Sequence, residues 1–236
     1  PPPPPPPVVV VPPPPPPVVP PPVLAGTPNR PAHFTRVLSD YGFTDPIPTA
    51  QDGPLGSSPW RASWNEAGRT RRADPDGIEW LFHRGGKNGE GVGNIGMGLD
   101  RIDQIYVAFD LWHDPQFEFH PISNKLLYLE PGNLILQTRM WETNWFTINN
   151  SGGGQEFRPV RYQLPRDRTV RVEYLVDAVN DWIKLWVDGQ LIIDPPAILA
   201  GRFRELKLDS TWGGADGTRT RDSIRRVRNV VVATVA

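Results

Sequence analysis

Residues 170–193 read VRVEYLVDAVNDWIKLWVDGQLII, and this stretch decides the fold class. On either side of a polar turn, every second residue is apolar: Val170, Val172, Tyr174, Val176, Ile183, Leu185 and Val187. A two-residue apolar period is typical of a β-strand with one face in a core. Asp188-Gly189 then favours a hairpin turn into a third strand at 191–193.

Further strand patterns surround this hairpin. They lie at 78–83, 105–112, 125–129, 134–140, 145–149, 203–208 and 227–235. Residues 34–43 and 60–64 also have short ordered patterns, and no segment has a helical stripe longer than two turns. Many short strands joined by turns predict an all-β antiparallel β-sandwich of the jelly-roll type.

The N-terminal region divides from this domain by composition. Residues 1–23 hold 16 of the 30 prolines and otherwise only valine. Proline donates no backbone hydrogen bond, so a polyproline II arm with a reach of roughly 70 Å, at about 3.1 Å per residue, is expected. We therefore predict an extended arm at 1–23, an irregular linker or edge segment packing on the domain at 24–75, and the sandwich at 76–236.

Three pieces of the sandwich resemble the concanavalin A-like jelly-roll superfamily, in the branch with polysaccharide lyases and laminin-G-like domains. They are SNKLLYL at 123–129, the hairpin at 172–189 with its WVDG ending, and TWGG at 211–214. The resemblance implies the fold more than a function. The Arg-rich, Gln-Ile-His and Tyr-Phe-Lys-Ala-Gly strands of alginate lyases are missing, as is the Glu-x-Asp-x-x-Glu strand of glucanases.

Composition limits the partners. The 25 basic and 26 acidic side chains are mixed along the chain and give a formal charge of −1, so nucleic acid is not an expected partner. No apolar run is long enough to cross a bilayer, and there is no cysteine. The sequence begins at Pro1, which leaves a removed targeting segment open. An extracellular or cell-surface location is expected.

Several motifs favour structural interpretations over chemistry. His83, His113 and His120 would form a proton-transfer or metal site only if they converged, and scattered histidines are more often structural. Asp76, in the turn 74–77, is a candidate calcium ligand without a spaced set of carboxylates around it. We therefore predict no catalytic residue, no metal and no cofactor, with calcium as the open alternative.

The segment 85–98 (GGKNGEGVGNIGMG) contains the spacing G-x-G-x-x-G, but the next predicted element is a strand rather than a helix. We interpret the segment as a mobile or tightly turning loop. Asn149 begins a glycosylation sequon, which matters only in a host that glycosylates.

An aromatic face is the clearest functional candidate. We expect its residues to point away from the core stripes of their strands: Tyr106, Trp112, Tyr128, Trp182, Lys184 and Trp186. Three interpretations are open: the face binds sugar rings, it receives the Pro/Val arm of a neighbour, or segment 24–75 covers it and the aromatic residues are core.

The apolar arm favours a self-assembling extracellular subunit, in which each arm docks on the next jelly roll and builds a filament. The assembly residues would be Pro1, Val8, Val9, Val10, Val11, Val18, Val19 and Val23. The alternative is a carbohydrate-binding, lectin-like domain or a divergent polysaccharide lyase carried on a Pro-rich spacer.

The arm distinguishes the two functions. Deletion of residues 1–23 is expected to leave a folded monomer and to abolish filaments, because only assembly needs the arm. Negative-stain electron microscopy of both forms measures this. Identical assemblies from the truncated chain would refute a role for the arm.

Overall fold

The computed structural model describes residues 26–87, 91–132, 134–140, 144–150, 153–157, 162, 164–166, 168–213 and 217–236. In these residues, two antiparallel β-sheets stack face to face as a jelly-roll sandwich, and the predicted fold class is confirmed. The predicted polyproline arm at 1–23 lies outside the described residues. No helix within the described ranges is long and apolar enough to cross a membrane.

Sheet A contains eight of the described strands. In spatial order seven of them are β14 (Gln190–Ile193), β13 (Trp182–Val187), β12 (Val170–Asp177), β7 (Gln104–His113), β16 (Ser223–Thr234), β5 (Ile78–Phe82) and β4 (Thr70–Arg72). The eighth, β1 (Arg36–Tyr41), pairs with the C-terminal half of β16, beyond the part that pairs with β5.

Sheet B also has eight described strands. Their order is β11 (Gln155–Phe157), β10 (Asn144–Asn150), β9 (Leu134–Met140), β8 (Asn124–Glu130), β15 (Phe203–Asp209), β6 (Gly93–Ile102), β3 (Trp60–Asn65) and β2 (Gly53–Pro54). A single 3-10 turn, Glu66–Gly68, follows β3 in the described chain.

The inner faces of the two sheets form the main core, which follows from the predicted stripes. The alternating apolar residues of 105–111, 170–176 and 183–187 all lie in one buried cluster. The predicted strands are therefore confirmed, with ends that differ by a few residues at most. Segment 24–75 contributes β1, β2, β3 and β4 to the two sheets, so part of it belongs to the sandwich.

The prediction of a turning loop through residue 98 was wrong for residues 93–98. This part belongs to β6, where Ile95, Met97 and Leu99 alternate into the core. The glycines fit close approaches rather than turns: a Cβ on Gly93 would lie 2.1 Å from Thr70 Oγ1, and one on Gly96 would lie 3.0 Å from Ser63 Oγ. A glycine in a strand interior often marks such an approach.

The outer face of sheet A is covered along its centre. Strands β7 and β12 are buried on both faces. Phe34, in the segment that leads to β1, packs with Tyr106, Ala108 and Leu175 in a second hydrophobic cluster. The backbone N–H of Asn29 donates to Glu173 at 3.0 Å, and Asn29 Nδ2 donates at 2.8 Å. Residues 26–35 thus form a strap across this face.

Replacing Phe34 with Ala is expected to lower the free energy of unfolding by about 3 kcal/mol, because it leaves a cavity over Tyr106 and Ala108. Urea unfolding followed by tryptophan fluorescence measures this change. Val37→Ala, on a residue that is 48% exposed, is the control and should stay within about 0.5 kcal/mol of the wild type. Equal stability of the two variants would show that the strap does not pack in solution.

Candidate functional site

The six residues of the predicted aromatic face do not share one surface. Tyr106, Trp112, Trp182, Lys184 and Trp186 belong to strands of sheet A, whereas Tyr128 lies on β8 of sheet B. The outward-facing side chains of the two sheets are separated by the whole sandwich core.

The aromatic residues in the central part of the face on sheet A have interaction partners within the protein. Tyr106 is fully buried, its hydroxyl donates to Glu173, and burial together with this carboxylate raises its pKa. Trp112 lies under the guanidinium of Arg226, 4.9 Å from its ring centroid, and Arg226 pairs with Glu79. These aromatic residues therefore have structural partners, as the interpretation with a covered face expects.

The remaining three residues lie near the edge of sheet A on β13. Trp182, Lys184 and Trp186 are half-buried. Lys184 Nζ lies 3.2 Å from Asp194 Oδ1, and Trp182 Nε1 also donates to that carboxylate. Trp186 packs against the cluster that contains Phe34.

The outer face of sheet B has a groove of about 280 Å³ over β6, β8 and β15. Its lining combines an aromatic ring, two ammonium groups and two carboxylates: Asn94, Lys125, Tyr128, Glu130, Lys207, Asp209 and Thr211. Lys125 Nζ lies 5.4 Å from the centroid of the Tyr128 ring, and Lys207 Nζ lies 5.9 Å from it. Tyr128 is therefore a half-buried ring between two cations.

Strand register builds this groove. Lys207 on β15 pairs with Tyr128 on β8 and with Gly96 on β6, so no side chain stands directly opposite the lysine on the β6 side. Gly98, which pairs with Glu205, is exposed, and a Cβ there would meet no atom within 4 Å. Gly98 thus leaves open space on β6 next to Glu205.

Of the groove residues, our sequence reasoning named Tyr128 and missed the rest. A signal was present in FRELKLD at 203–209, where Leu206 and Leu208 face the core and Lys207 faces outward. Lys125 was harder to place, since the pairing of β8 with β9 shifts between Lys125 and Leu127.

The groove contains an ion pair and a tyrosine with a shifted pKa. Lys207 Nζ lies 3.1 Å from Glu205 Oε2. Burial, with Glu130 and Asp209 nearby, raises the pKa of Tyr128 to about 12. At neutral pH this hydroxyl is therefore protonated and able to donate a hydrogen bond.

A buried arginine supports the groove from below. Arg225 extends from β16 across the core, and its Nη1 donates to the carbonyl of Lys125 at 2.6 Å and to that of Asp209 at 3.4 Å. Its Nε donates to His113 Nε2 at 3.2 Å. The strands that present Lys125 and Asp209 are thereby tied to sheet A.

The three histidines considered from the sequence lie in three different environments. His113 packs in the core against Phe117, with ring centroids 4.5 Å apart, whereas His120 lies edge-on to Trp212. His83 lines a separate small cavity near Arg219. Within the described ranges, no group of three or more His, Cys, Asp or Glu residues is placed to hold a metal ion.

Two other predicted sites have the following positions. Asp76 Oδ1 lies 3.7 Å from Arg228 Nη1. Asn149 lies within β10 and pairs with Ile135 on β9 and Glu156 on β11. The predicted assembly residues between Pro1 and Val23 lie outside the described residues.

No protein-family model matches the sequence, and no curated protein matches it. Solved structures do. Alginate lyase Aly36B in complex with an alginate trisaccharide matches with a TM-score of 0.63 and 13% identity, over 85% of this chain and 97% of the lyase.

Two further matches have similar coverage. The carbohydrate recognition domain of Emp47p has a TM-score of 0.53 and 11% identity, over 86% of this chain and 98% of that domain. Alginate lyase AlgAT5, of polysaccharide lyase family 7, has 0.50 and 14%, over 80% and 91%. The concanavalin A-like jelly-roll resemblance is confirmed at the level of the fold.

The buried His113 predicts an acid-sensitive domain. Burial, followed by the charges of Arg225 and Arg166, lowers its pKa well below 6.5. The unfolded chain therefore binds a proton more readily, and stability should fall as pH drops below about 6.5, by up to about 1.4 kcal/mol per pH unit.

His113→Gln should weaken this dependence, since an amide oxygen accepts from Arg225 without titrating. Urea unfolding of both proteins at about pH 7.5, 6.5 and 5.5 measures the difference. Parallel pH dependence in the two proteins would contradict the assignment to His113.

Proposed function

We propose that the protein binds a polysaccharide in the groove on the outer face of sheet B. The observation that carries the proposal is Tyr128, a half-buried ring between Lys125 and Lys207 on the outer face of sheet B. The groove, at about 280 Å³, is close to the lower end of typical ligand pockets of about 300–1,000 Å³.

Each kind of groove residue would make a different contact with the sugar. A sugar ring stacked on Tyr128 would bury its apolar face against the aromatic ring. The ammonium groups of Lys125 and Lys207 would donate to hydroxyl or carboxylate oxygens, while Glu130 and Asp209 would accept from hydroxyls. Gly98, which is exposed, would let the polysaccharide pass close to the sheet.

The fold similarity supports this proposal over assembly. Aly36B was solved with an alginate trisaccharide, and the matching part of Emp47p is a carbohydrate recognition domain. None of the structures reported above supports a filament role for the Pro/Val arm. We extend the proposal to an extracellular or cell-surface protein, with the arm as a spacer.

Polysaccharide lyase activity is a second candidate because two of the matching structures are alginate lyases. Such a reaction needs a cation against the uronate carboxylate, a base for the C5 proton and an acid for the leaving oxygen. Lys125 and Lys207 suit the first role, and the Tyr128 hydroxyl, which is protonated at neutral pH, is a candidate for the last although its raised pKa makes it a weaker acid. The four histidines lie elsewhere, so binding without cleavage is the favoured function.

Paired variants on the two sheets test the proposal. Tyr128→Ala is expected to weaken binding about 10-fold, the equivalent of about 1.4 kcal/mol, because the stacking surface is lost. Lys207→Met should weaken it several-fold. Affinity electrophoresis in gels with acidic or neutral polysaccharides measures retention, and the ultraviolet absorbance of an unsaturated uronate product detects cleavage.

Trp182→Ala and Lys184→Met on sheet A are the matched controls. Lys184 resembles Lys207 in exposure and in its ion pair with a carboxylate. The controls should bind as the wild type does. Loss of retention in the controls alone would move the site to sheet A, and no retention of the wild type on any polymer would overturn the proposal.

A further inference from the structure

A second groove lies on the outer face of sheet A, beside the strap of residues 26–35. Its volume of about 320 Å³ falls in the lower part of the range of about 300–1,000 Å³ for small-molecule sites. Its lining residues come from the strap and from strands β1, β12 and β16, and all of them belong to the described chain. Those that bear on a ligand are Arg30, Val37, Asp40, Arg171, Asn229 and Val231.

The floor of this groove is a buried polar network. Arg171 is 6% exposed, and its Nη1 donates to Asp110 Oδ1 at 3.0 Å and to the carbonyl of Asn229 at 2.9 Å. Asn229 Nδ2 donates to Asp110 Oδ2 at 2.7 Å. The guanidinium of Arg171 is therefore fixed before any ligand arrives, which a preorganised contact requires.

A backbone bulge places Asn229 in this network. The pairing of β16 with β7 shifts between Arg228 and Val231, and Asn229 has a φ of 50°. This left-handed conformation is uncommon for residues other than glycine, and bulges beside binding sites often re-aim a side chain. Here the bulge brings the carbonyl and the amide of Asn229 to Arg171 and Asp110.

One nitrogen of Arg171 remains for a ligand. Nη2 has no hydrogen-bonding partner in the described chain, and unlike Nε it is not fully buried. Because Arg171 lines the groove, the accessible part of its guanidinium faces that space. The ion pair with Asp110 balances its charge, so Nη2 is a fixed hydrogen-bond donor.

Two charged groups at the rim have no partner within the described ranges. The guanidinium of Arg30 and the carboxylate of Asp40 form no hydrogen bond or ion pair there, either with each other or with another residue. Arg30 is half-buried on the strap, and Asp40 is exposed on β1, where it pairs with Val231. The groove therefore has a cation and an anion that do not neutralise each other.

This charge pattern indicates the class of ligand. A purely anionic ligand would face the carboxylate of Asp40, and a purely cationic ligand would face the guanidinium of Arg30. A zwitterion would meet both groups with the opposite charge. An α-amino acid is the smallest such ligand, and Val37, which is 48% exposed, and Val231 offer its side chain an apolar wall.

We propose that this groove binds a free α-amino acid with an apolar side chain. The carboxylate of the ligand accepts from Arg30 and from Arg171 Nη2, and its ammonium group donates to Asp40. Its side chain packs on Val37 and Val231. This site does not depend on the proposed polysaccharide function, because it takes a different class of ligand on the other sheet.

Three forms of leucine test the two charged contacts by isothermal titration calorimetry of the intact chain. L-Leucine is expected to bind. N-acetyl-leucine lacks the ammonium group and leucine amide lacks the carboxylate, so each should bind about 10-fold more weakly or less. Equal affinity for all three forms would overturn the proposal.

Variants at the rim assign the binding to this groove. Arg30→Gln should weaken L-leucine binding about 10-fold, and Asp40→Asn should remove most of the difference between L-leucine and N-acetyl-leucine. Neither change should lower the melting temperature, because both side chains lack partners in the part of the chain that the structure describes. Arg36→Gln, on an exposed residue of β1 outside the groove, is the matched control and should bind as the wild type does.

Absence of L-leucine binding by the intact chain would overturn the proposal, as would binding that both rim variants retain. Binding that appears only after deletion of residues 1–23 would assign the groove to the arm and would also overturn it. Retention on polysaccharide gels should be equal with and without L-leucine, so this result is independent of the groove on sheet B.

Discussion

The burial of both faces of β7 and β12, at the centre of sheet A, is the constraint on which the other features depend. Strands β7 and β12 have their core stripes on one side and the strap of residues 26–35 on the other. Polar groups caught beneath the strap need partners inside the protein, since an unpaired buried charge is costly. Arg171 with Asp110, at 3.0 Å, and Glu173 with Asn29 meet this need. On the outer face of sheet B, groove residues on β8 and β15 are partly exposed, whereas Gln137 on β9 and Thr147 on β10 are buried.

The groove on sheet B and a buried aromatic cluster are linked through Arg225. One of its nitrogens fixes the carbonyls of Lys125 and Asp209 under the groove, and its guanidinium shares aromatic neighbours with Arg219. Arg225 therefore connects the strands that present the groove to the aromatic cluster around Arg219.

The architecture could largely be predicted from the sequence because alternation is a local signal. The stripe from Val170 to Val176 and the turn at Asp188-Gly189 define strands wherever they are placed. The composition of β6, in contrast, predicted a loop instead of a strand. Its glycines are needed for tight contact with Thr70 and Ser63, which only the folded chain brings near.

The candidate site could be predicted less well from the sequence, because it too depends on contacts that only the folded chain makes. Tyr128 and Tyr106 have similar patterns along their strands, yet one borders an open groove and the other lies under Phe34. Which sheet a strand joins, and what covers that sheet, depends on pairing between distant segments. The three-residue step from Lys125 to Tyr128, across a register shift, also hid the fact that both face the groove.

The central claim is that sheet B carries the ligand surface. Backbone amide chemical shifts, followed by NMR as an oligosaccharide from a retained polymer is added, test it most directly. The account predicts that the largest shifts fall on β6, β8 and β15, around Gly96, Tyr128 and Lys207. The largest shifts on β12 and β13, around Trp182 and Trp186, would contradict it.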